Sequence, residues 1–207
     1  MRVLVACERS GVVRQAFRAL GHDAWSCDLE PADDGSDFHL QCDAIRAACE
    51  TDWELLVAHP ECTYLANSGA KHLYAGMKAA NGPNADRWAH MGAAAAFFLA
   101  LWNAPVNRVC VENPIMLGHP RRLFGIPAPQ QIIQPWQFGH GETKATCLWL
   151  RGLLPLRPTS IVEGREQRVF RMAPGPDRKR DRSRTYEGVA AAMAQQWGGP
   201  AAARAAA

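Results

Sequence analysis

Two short segments carry residue types that could do covalent chemistry. The first, ELLVAHPECTYLANSG, is an apolar stretch that runs into His59, Pro60, Glu61 and Cys62. Proline stiffens such a turn, so Cys62 is expected at the mouth of the preceding element rather than inside it. Thiolate character there makes a sulfur a competent nucleophile. The other reading is a buried, inert cysteine, the usual fate of a free thiol. The second segment, VCVENPIM, delivers Glu112 and Asn113 at the end of an apolar run, and Pro114 then breaks the chain. A carboxyl group beside a ring-sized pocket can bind the polar edge of a pyrimidine, although a glutamate here can also pair with a local arginine.

A third segment opens the chain. VLVACERSGVVRQAF reads as strand, turn and helix, without the G-x-G-x-x-G fingerprint of dinucleotide sites. Gly11 could let a ligand approach the backbone, and the helix start could receive a carboxylate or similar anion. Asp28 lies about twenty residues on, where an acid grips ribose hydroxyls in nucleotide-binding sheets. Asp43 ends the next strand. A first-strand turn with two later acids suits a nucleoside-type cofactor such as S-adenosylmethionine; singly, each acid also reads as an ordinary turn residue.

The elements that must position these residues alternate in type. Residues 2–7, 22–27, 37–40, 54–58 and 106–111 read as strands. Between them, Val12, Val13, Ala16, Phe17 and Leu20 recur at helical spacing, with Ser10 as the expected cap and Gly21 as the stop. Residues 44–50 and 85–102 also read as helices. This alternation predicts an α/β fold with a doubly wound, mostly parallel sheet covered on both faces. Ligands of such sheets sit beyond the carboxyl ends of the strands, where Cys7, Glu8, Asp28, Asp43, the 60–62 turn, Glu112 and Asn113 all fall. Residues 115–143 are rich in Pro, Gly and Gln, 144–150 is strand-like, 151–182 loop-like and 187–197 helical. A disordered tail is expected at 201–207.

Bulk properties set limits. A chain of 207 residues fits one domain. No apolar run reaches the roughly eighteen residues of a membrane-spanning helix, and the N-terminal apolar run is too short for a secretion signal. A cytoplasmic location is therefore expected. The seven cysteines lack C-x-x-C and zinc-ligand spacing, so they read as reduced thiols with no metal site. Net charge is +3, but residues 165–184 hold Arg165, Arg168, Arg171, Arg178, Lys179, Arg180, Arg182 and Arg184 against Glu166, Asp177 and Asp181. Such a basic loop can meet phosphates or simply face water. Arg165, Arg168, Arg178, Arg182 and Arg184 are the phosphate-binding candidates.

The order of these pieces resembles that of the cytosine-C5 DNA methyltransferases. CERSGVVRQAF resembles that family's first cofactor motif in a reduced form, and Asp28 and Asp43 match the acids after its second and third strands. Pro60-Glu61-Cys62 resembles the Pro-Pro-Cys catalytic loop, and Val111-Glu112-Asn113 the Glu-Asn motif. FGHGETKATCLWL is similar to the strand pair that carries a Gln-x-Arg-x-Arg pattern. SRTYEGVAAAMAQQW is similar to the final motif, whose helix packs beside the first. The likeness spans nearly the whole chain and extends to short phage- and prophage-type members with Glu-Asn-Pro. It implies a Rossmann-like S-adenosylmethionine-dependent methyltransferase fold in one domain over 1–200, with a reduced target-recognition insertion around 115–143. Cys62 would add to C6 of cytosine, making C5 enamine-like. Glu112 would hold N3 and the exocyclic amine, with Pro60, Asn113 and Lys144 completing the catalytic set. Cys7, Glu8, Ser10, Gly11, Asp28, Leu29, Asp43, Ala44 and His59 would bind the cofactor, and DNA would be the partner.

The chain departs from that family's pattern in three places. Glu61 replaces the second proline, and a carboxylate there tends to raise the thiol pKa. The Gln-x-Arg-x-Arg pattern is absent, with Lys144 as its substitute. The recognition region is small, so little base readout can be built, and a duplex base would have to be flipped out. Two alternatives therefore stand beside DNA methylation. One is C5 modification of a free pyrimidine nucleotide such as dCMP; the other is a non-catalytic cofactor- or DNA-binding module. The oligomeric state is left open.

Overall fold

Near-continuous apolar runs such as RVLVA and LLVA become strands buried on both faces, as a parallel sheet between helix layers requires. The computed structural model describes residues 1–175 and 178–199; Asp177 and the tail expected at 201–207 lie outside the described residues. The strands are β1 (Arg2–Ala6), β2 (Asp23–Asp28), β3 (His39–Gln41), β4 (Leu55–Ala58), β5 (Val109–Pro114), β6 (Gln131–Ile133) and β7 (Thr146–Arg151). The helices are α1 (Val12–Ala19), α2 (Ala44–Cys49), α3 (Ala85–Trp102), α4 (Gly118–Phe124), α5 (Arg168–Arg171), α6 (Arg178–Ser183) and α7 (Glu187–Gly198).

The seven strands form one sheet in the order β3-β2-β1-β4-β5-β7-β6. From β3 to β5 all pairings are parallel, and β7 runs antiparallel between β5 and β6. The chain thus adopts the expected doubly wound, Rossmann-like α/β fold. Its order reverses between β1 and β4, the switch point at which such sheets open a crevice.

Alternate residues of each strand feed two separate cores. Leu4, Leu56, Val109, Val111 and Trp149 pack against α2 and α3 on one face. Val3, Val5, Leu55, Val57, Cys110 and Leu148 pack against α1 and α7 on the other. On α3, Met91, Ala95, Phe98 and Leu101 turn inward at helical spacing, and the Asn84 side chain caps the first turn by accepting from the Arg87 N–H.

Four expectations are corrected. The fifth strand is Val109–Pro114 rather than 106–111, so Glu112 and Asn113 lie within its last turn of pleat and not beyond it. Residues 131–133 inside the expected insertion form β6, whose Ile133 is buried; the sheet needs a partner for the outer edge of β7. The basic stretch 165–184 contains two short helices, α5 and α6, rather than a continuous loop. Finally, Ser10 is not the cap of α1: Gly11 stands there at φ 68°, and no side chain of the cap residue bonds the helix.

Arg14 explains part of that helix start. It is 1% exposed, and its guanidinium pairs with Asp34 and donates to Ser26 Oγ at 2.7 Å. Ser26 in turn bonds His39 Nδ1 at 2.8 Å. A Cβ on Gly11 would strike Arg14 and Asp34, so the glycine makes room for the chain's own ion pair. This buried cation ties α1, β2, β3 and the 29–36 loop together. Asp34→Ala removes its paired carboxylate and leaves Glu8 as the nearby acid; stability should fall by about 2 kcal/mol, read as a lower urea midpoint at unchanged m-value.

Candidate active site

The parity of the strands decides what meets at their carboxyl ends. Ala58 of β4 stands opposite Val111 of β5, so His59 emerges beside Glu112. Both share the parity of the residues that face α1 and α7, and their side chains meet: His59 Nδ1 lies 2.7 Å from Glu112 Oε2. The His59 backbone N–H donates to Ala6 O of β1 at 2.9 Å, which fixes the residue at the switch point. Asn113, of opposite parity, is 1% exposed and donates through Nδ2 to Pro60 O at 3.4 Å. Pro60 and Asn113 therefore brace the turn that carries Cys62.

Electrostatics bind these groups into one site. Burial pushes the Glu112 carboxyl up, but the hydrogen bond and charge of His59, with Lys144, outweigh it and hold the carboxyl below its ordinary range. For His59, burial pushes the imidazole down, and the bond and charge of Glu112, joined by Glu8, reverse this to a net rise. Each partner therefore favours the charged form of the other. Burial raises the Cys62 thiol, and the Glu112 charge raises it further, while Lys144 pulls it down. Glu61, the sequence departure next to Cys62, is only the last contributor to that rise. Cys62 is partly buried, not sealed in the core.

Lys144 reaches this edge because β7 is reversed. Pro114 at the end of β5 pairs with Thr146 at the start of β7, so the residues before β7 sit at the same edge as Glu112. A narrow cleft of about 10 Å³ is lined by Glu112, Lys144, Thr146, Thr185 and Tyr186, with Val189 and Met193 of α7 at its back. The Lys144 ammonium donates to Arg184 O at 3.3 Å and lies 5.7 Å from the centre of the Tyr186 ring. Thr185 and Tyr186 were not singled out from the sequence. Their signal is a short polar run, SRTY, placed directly before an apolar helix.

The cofactor candidates divide. Cys7, at φ 58°, has its thiol raised by burial, by Cys27 and by the charges of Asp28 and Asp43, so both acids face the turn after β1. Asp28 accepts from the Glu30 N–H at 3.1 Å, and Asp43 caps α2 by accepting from the Arg46 N–H at 2.9 Å, directly before Ala44. Leu29 beside Asp28 is 71% exposed. Two carboxylates and an open apolar side chain around one turn fit the hydroxyls, amine and ring of a nucleoside.

The start of α1 does not fit the anionic end expected there. Glu8 occupies it: its carboxylate accepts from Val13 N at 2.7 Å and Arg14 N at 3.2 Å, with Ser10 alongside. Burial raises Glu8, against the charge of His59 and the two backbone bonds. His59 turns toward Glu112 and Glu8, which places it between the cofactor candidates and the cysteine rather than among the former.

The basic candidates are also partly committed. Arg168 pairs with Glu142 at 3.0 Å, and Glu142 also accepts from the Tyr186 hydroxyl at 2.7 Å. Arg165 stacks over Trp136 with its guanidinium carbon 4.0 Å from the ring centre, and Arg178 donates to Met172 O. Arg184 is exposed and Arg182 half-buried, and exposed Arg121 and Arg122 of α4 add two cations the sequence reading passed over. Among the described residues, no group of three or more His, Cys, Asp or Glu could hold a metal ion, and no helix is long and apolar enough to cross a membrane.

No protein-family model and no curated protein matches the chain. Among solved structures, its course is similar to that of a protein described as a DNA modification methyltransferase encoded within a prophage (E. coli). The two share 11% identity and a TM-score of 0.49, over 84% of this chain and 55% of that one. It is also similar to the Dnmt2 methyltransferase of S. pombe, with 14% identity, a TM-score of 0.38 and 82% and 53% of the two chains covered. A third likeness is to the methyltransferase EhMeth of Entamoeba histolytica, with 14% identity, a TM-score of 0.43 and 81% and 57% covered. The chain spans little more than half the length of each of these structures.

The His59–Glu112 pair makes stability pH-dependent, with opposite signs for its members. Glu112 is lowered from 4.5, so its contribution is complete above pH 4.5 and lost as pH falls through the lower folded value. His59 is raised from 6.5, so its contribution is complete below pH 6.5 and lost as pH rises through the higher folded value. The stability gap between the protein and Glu112→Gln should be widest between these two pH values and narrow on either side. Urea unfolding across that range measures it.

Proposed function

We propose that this chain transfers a methyl group to C5 of cytosine in DNA, with Cys62 as the nucleophile. The observation that carries the reading is the gathering of Cys62, Glu112 and Lys144 at one strand edge, with the Cys62 turn tied to β5 through Asn113 and the charges of Glu112 and Lys144 both bearing on the sulfur. Ring C5 of cytosine is a poor nucleophile. Addition of a thiolate to C6 makes it enamine-like, and a carboxyl group on N3 and the exocyclic amine offsets the charge that develops. Cys62 takes the first role here and Glu112 the second. Lys144 partly offsets the burial and the Glu112 charge that raise the thiol, and Pro60 and Asn113 hold the turn in place.

S-adenosylmethionine would supply the methyl group on its sulfonium. Asp28 and Asp43 would hold its nucleoside hydroxyls and amine, and Leu29 would cover its ring. Cys7 and Ala44 lie in the turns that carry these groups. Arg182 and Arg184, with Arg121 and Arg122, are the cations best placed to meet a DNA backbone; Arg165, Arg168 and Arg178 would contribute only what their internal partners leave. The short recognition region supports relaxed sequence preference.

Incubation with a 5-fluorocytosine oligonucleotide and the methyl donor should give a covalent adduct that Cys62→Ser abolishes. No adduct with duplex DNA, single-stranded DNA or 5-fluoro-dCMP overturns the reading, and an adduct with the nucleotide alone overturns DNA as the substrate. Glu112→Gln should keep donor binding and slow turnover at least tenfold, about 1.4 kcal/mol, measured as methyl transfer at saturating DNA.

A further inference from the structure

We propose that His59 supplies the proton that cytosine N3 takes when Cys62 adds to C6, passing it through Glu112. This rests on the methyltransferase reading above and deepens it. His59 acts on the substrate through Glu112 and is a positioning residue rather than a catalytic one.

Cytosine N3 is a lone-pair acceptor, so a carboxyl group can bind it only as the neutral acid. Glu112 instead stands as a carboxylate, because His59 donates to its Oε2 at 2.7 Å. A carboxylate has nothing to donate to N3. The missing proton is on the other side of that same contact. His59 Nε2 is shielded from solvent and has no hydrogen-bond partner among the described residues, so the imidazole does not draw its proton from a neighbour on that side.

The charges that face His59 come from three elements: Glu112 on β5, Glu8 in the turn after β1, and Lys144 before β7. The two carboxylates favour the imidazolium and the ammonium opposes it. The group therefore binds a proton more tightly than a free imidazole and sits 2.7 Å from an acceptor that can pass it on.

The partly exposed Cys62 thiol first loses its proton to water; the Sγ–C6 bond then forms, the C5–C6 π pair moves onto C5, and the charge is drawn toward N3. The Nδ1 proton moves to Glu112, and the carboxyl group, now neutral, protonates N3. Imidazolium becomes imidazole. When C5 has lost its proton to a base and the sulfur departs, the N3 proton returns by the same route. Uracil needs no such transfer, since its N3 carries its own proton and suits a carboxylate directly.

The test uses exchange of the C5 hydrogen, which follows thiolate addition and needs no methyl donor. Tritium release is measured from oligonucleotides carrying [5-³H]cytosine or [5-³H]uracil, for the full chain and for His59→Asn and His59→Gln. Both amides can still donate a hydrogen bond to Glu112 but have no proton to give. At pH 8 both variants should release tritium from cytosine at least tenfold more slowly, with uracil changed less than twofold. The alkaline limb of the wild-type cytosine profile should follow the His59 titration seen by NMR.

An equal loss on both bases overturns the proposal and leaves His59 a structural group. Unchanged cytosine exchange also overturns it. A variant that fails to fold leaves the wild-type profile to decide: an alkaline limb that does not track His59 overturns the proposal. Wild type that exchanges neither base overturns the methyltransferase reading itself, a distinct result.

Discussion

The contact between His59 and Glu112 is the constraint around which the site is arranged. Two ionisable side chains are largely taken out of water at the ends of adjacent strands, where a charge loses several kcal/mol of hydration. Each charge favours the other, with Lys144 also acting on Glu112 and Glu8 on His59. The pairing exists because β4 and β5 are held in one register, Ala58 against Val111. A slip of one residue would turn Glu112 toward the α2–α3 core and bring Asn113 to the histidine. The hydrogen bonds of the sheet therefore determine which side chain faces which, and the ion pair in turn determines the charge carried into the cleft.

The same edge is divided between two kinds of chemistry. On one side, Asp28, Asp43 and the open Leu29 surround the turn after β1 and present acceptors and an apolar face. On the other, Cys62, Glu112 and Lys144 gather near the reversed β7. Glu8 stands between them. By capping α1 with its own carboxylate, it removes the anion site that a helix start usually offers, and it places a second acid near His59. A helix terminus that binds its own side chain is stable without a ligand but has no free N–H groups to present there.

The far wall of the cleft is built from a loop and a helix. It consists of α7 and the strand-poor stretch around 134–143, joined by small-residue packing and polar bridges. A Cβ on Gly188 would meet the Phe138 carbonyl, and the Gly188 N–H instead donates to His140 Nε2 at 3.0 Å. Glu142 collects Tyr186 and Arg168, so a basic segment that might have faced only solvent is anchored at one end to the cleft. Arg168 thus helps to hold the wall.

Much of the fold was legible in the chain itself. Short apolar runs alternating with helical periodicity define a parallel sheet, because hydrophobic period and burial are local properties of a segment. The helix at 85–102 matches its expected bounds for that reason. The polar residues of the candidate site were legible too, because strands in such sheets deliver their last residues to one edge. Pairing was not. His59 read as a cofactor neighbour, Ser10 as a cap and Gly11 as a ligand's clearance. The structure gives His59 to Glu112, the cap to Glu8, and the clearance to Arg14 and Asp34. β6 was missed because a three-residue edge strand carries too little periodicity to announce itself. Residue type and spacing determine which groups reach the edge. Which of them share a proton, and which are consumed by the fold, depends on strand register and burial, and those are properties only of the assembled sheet.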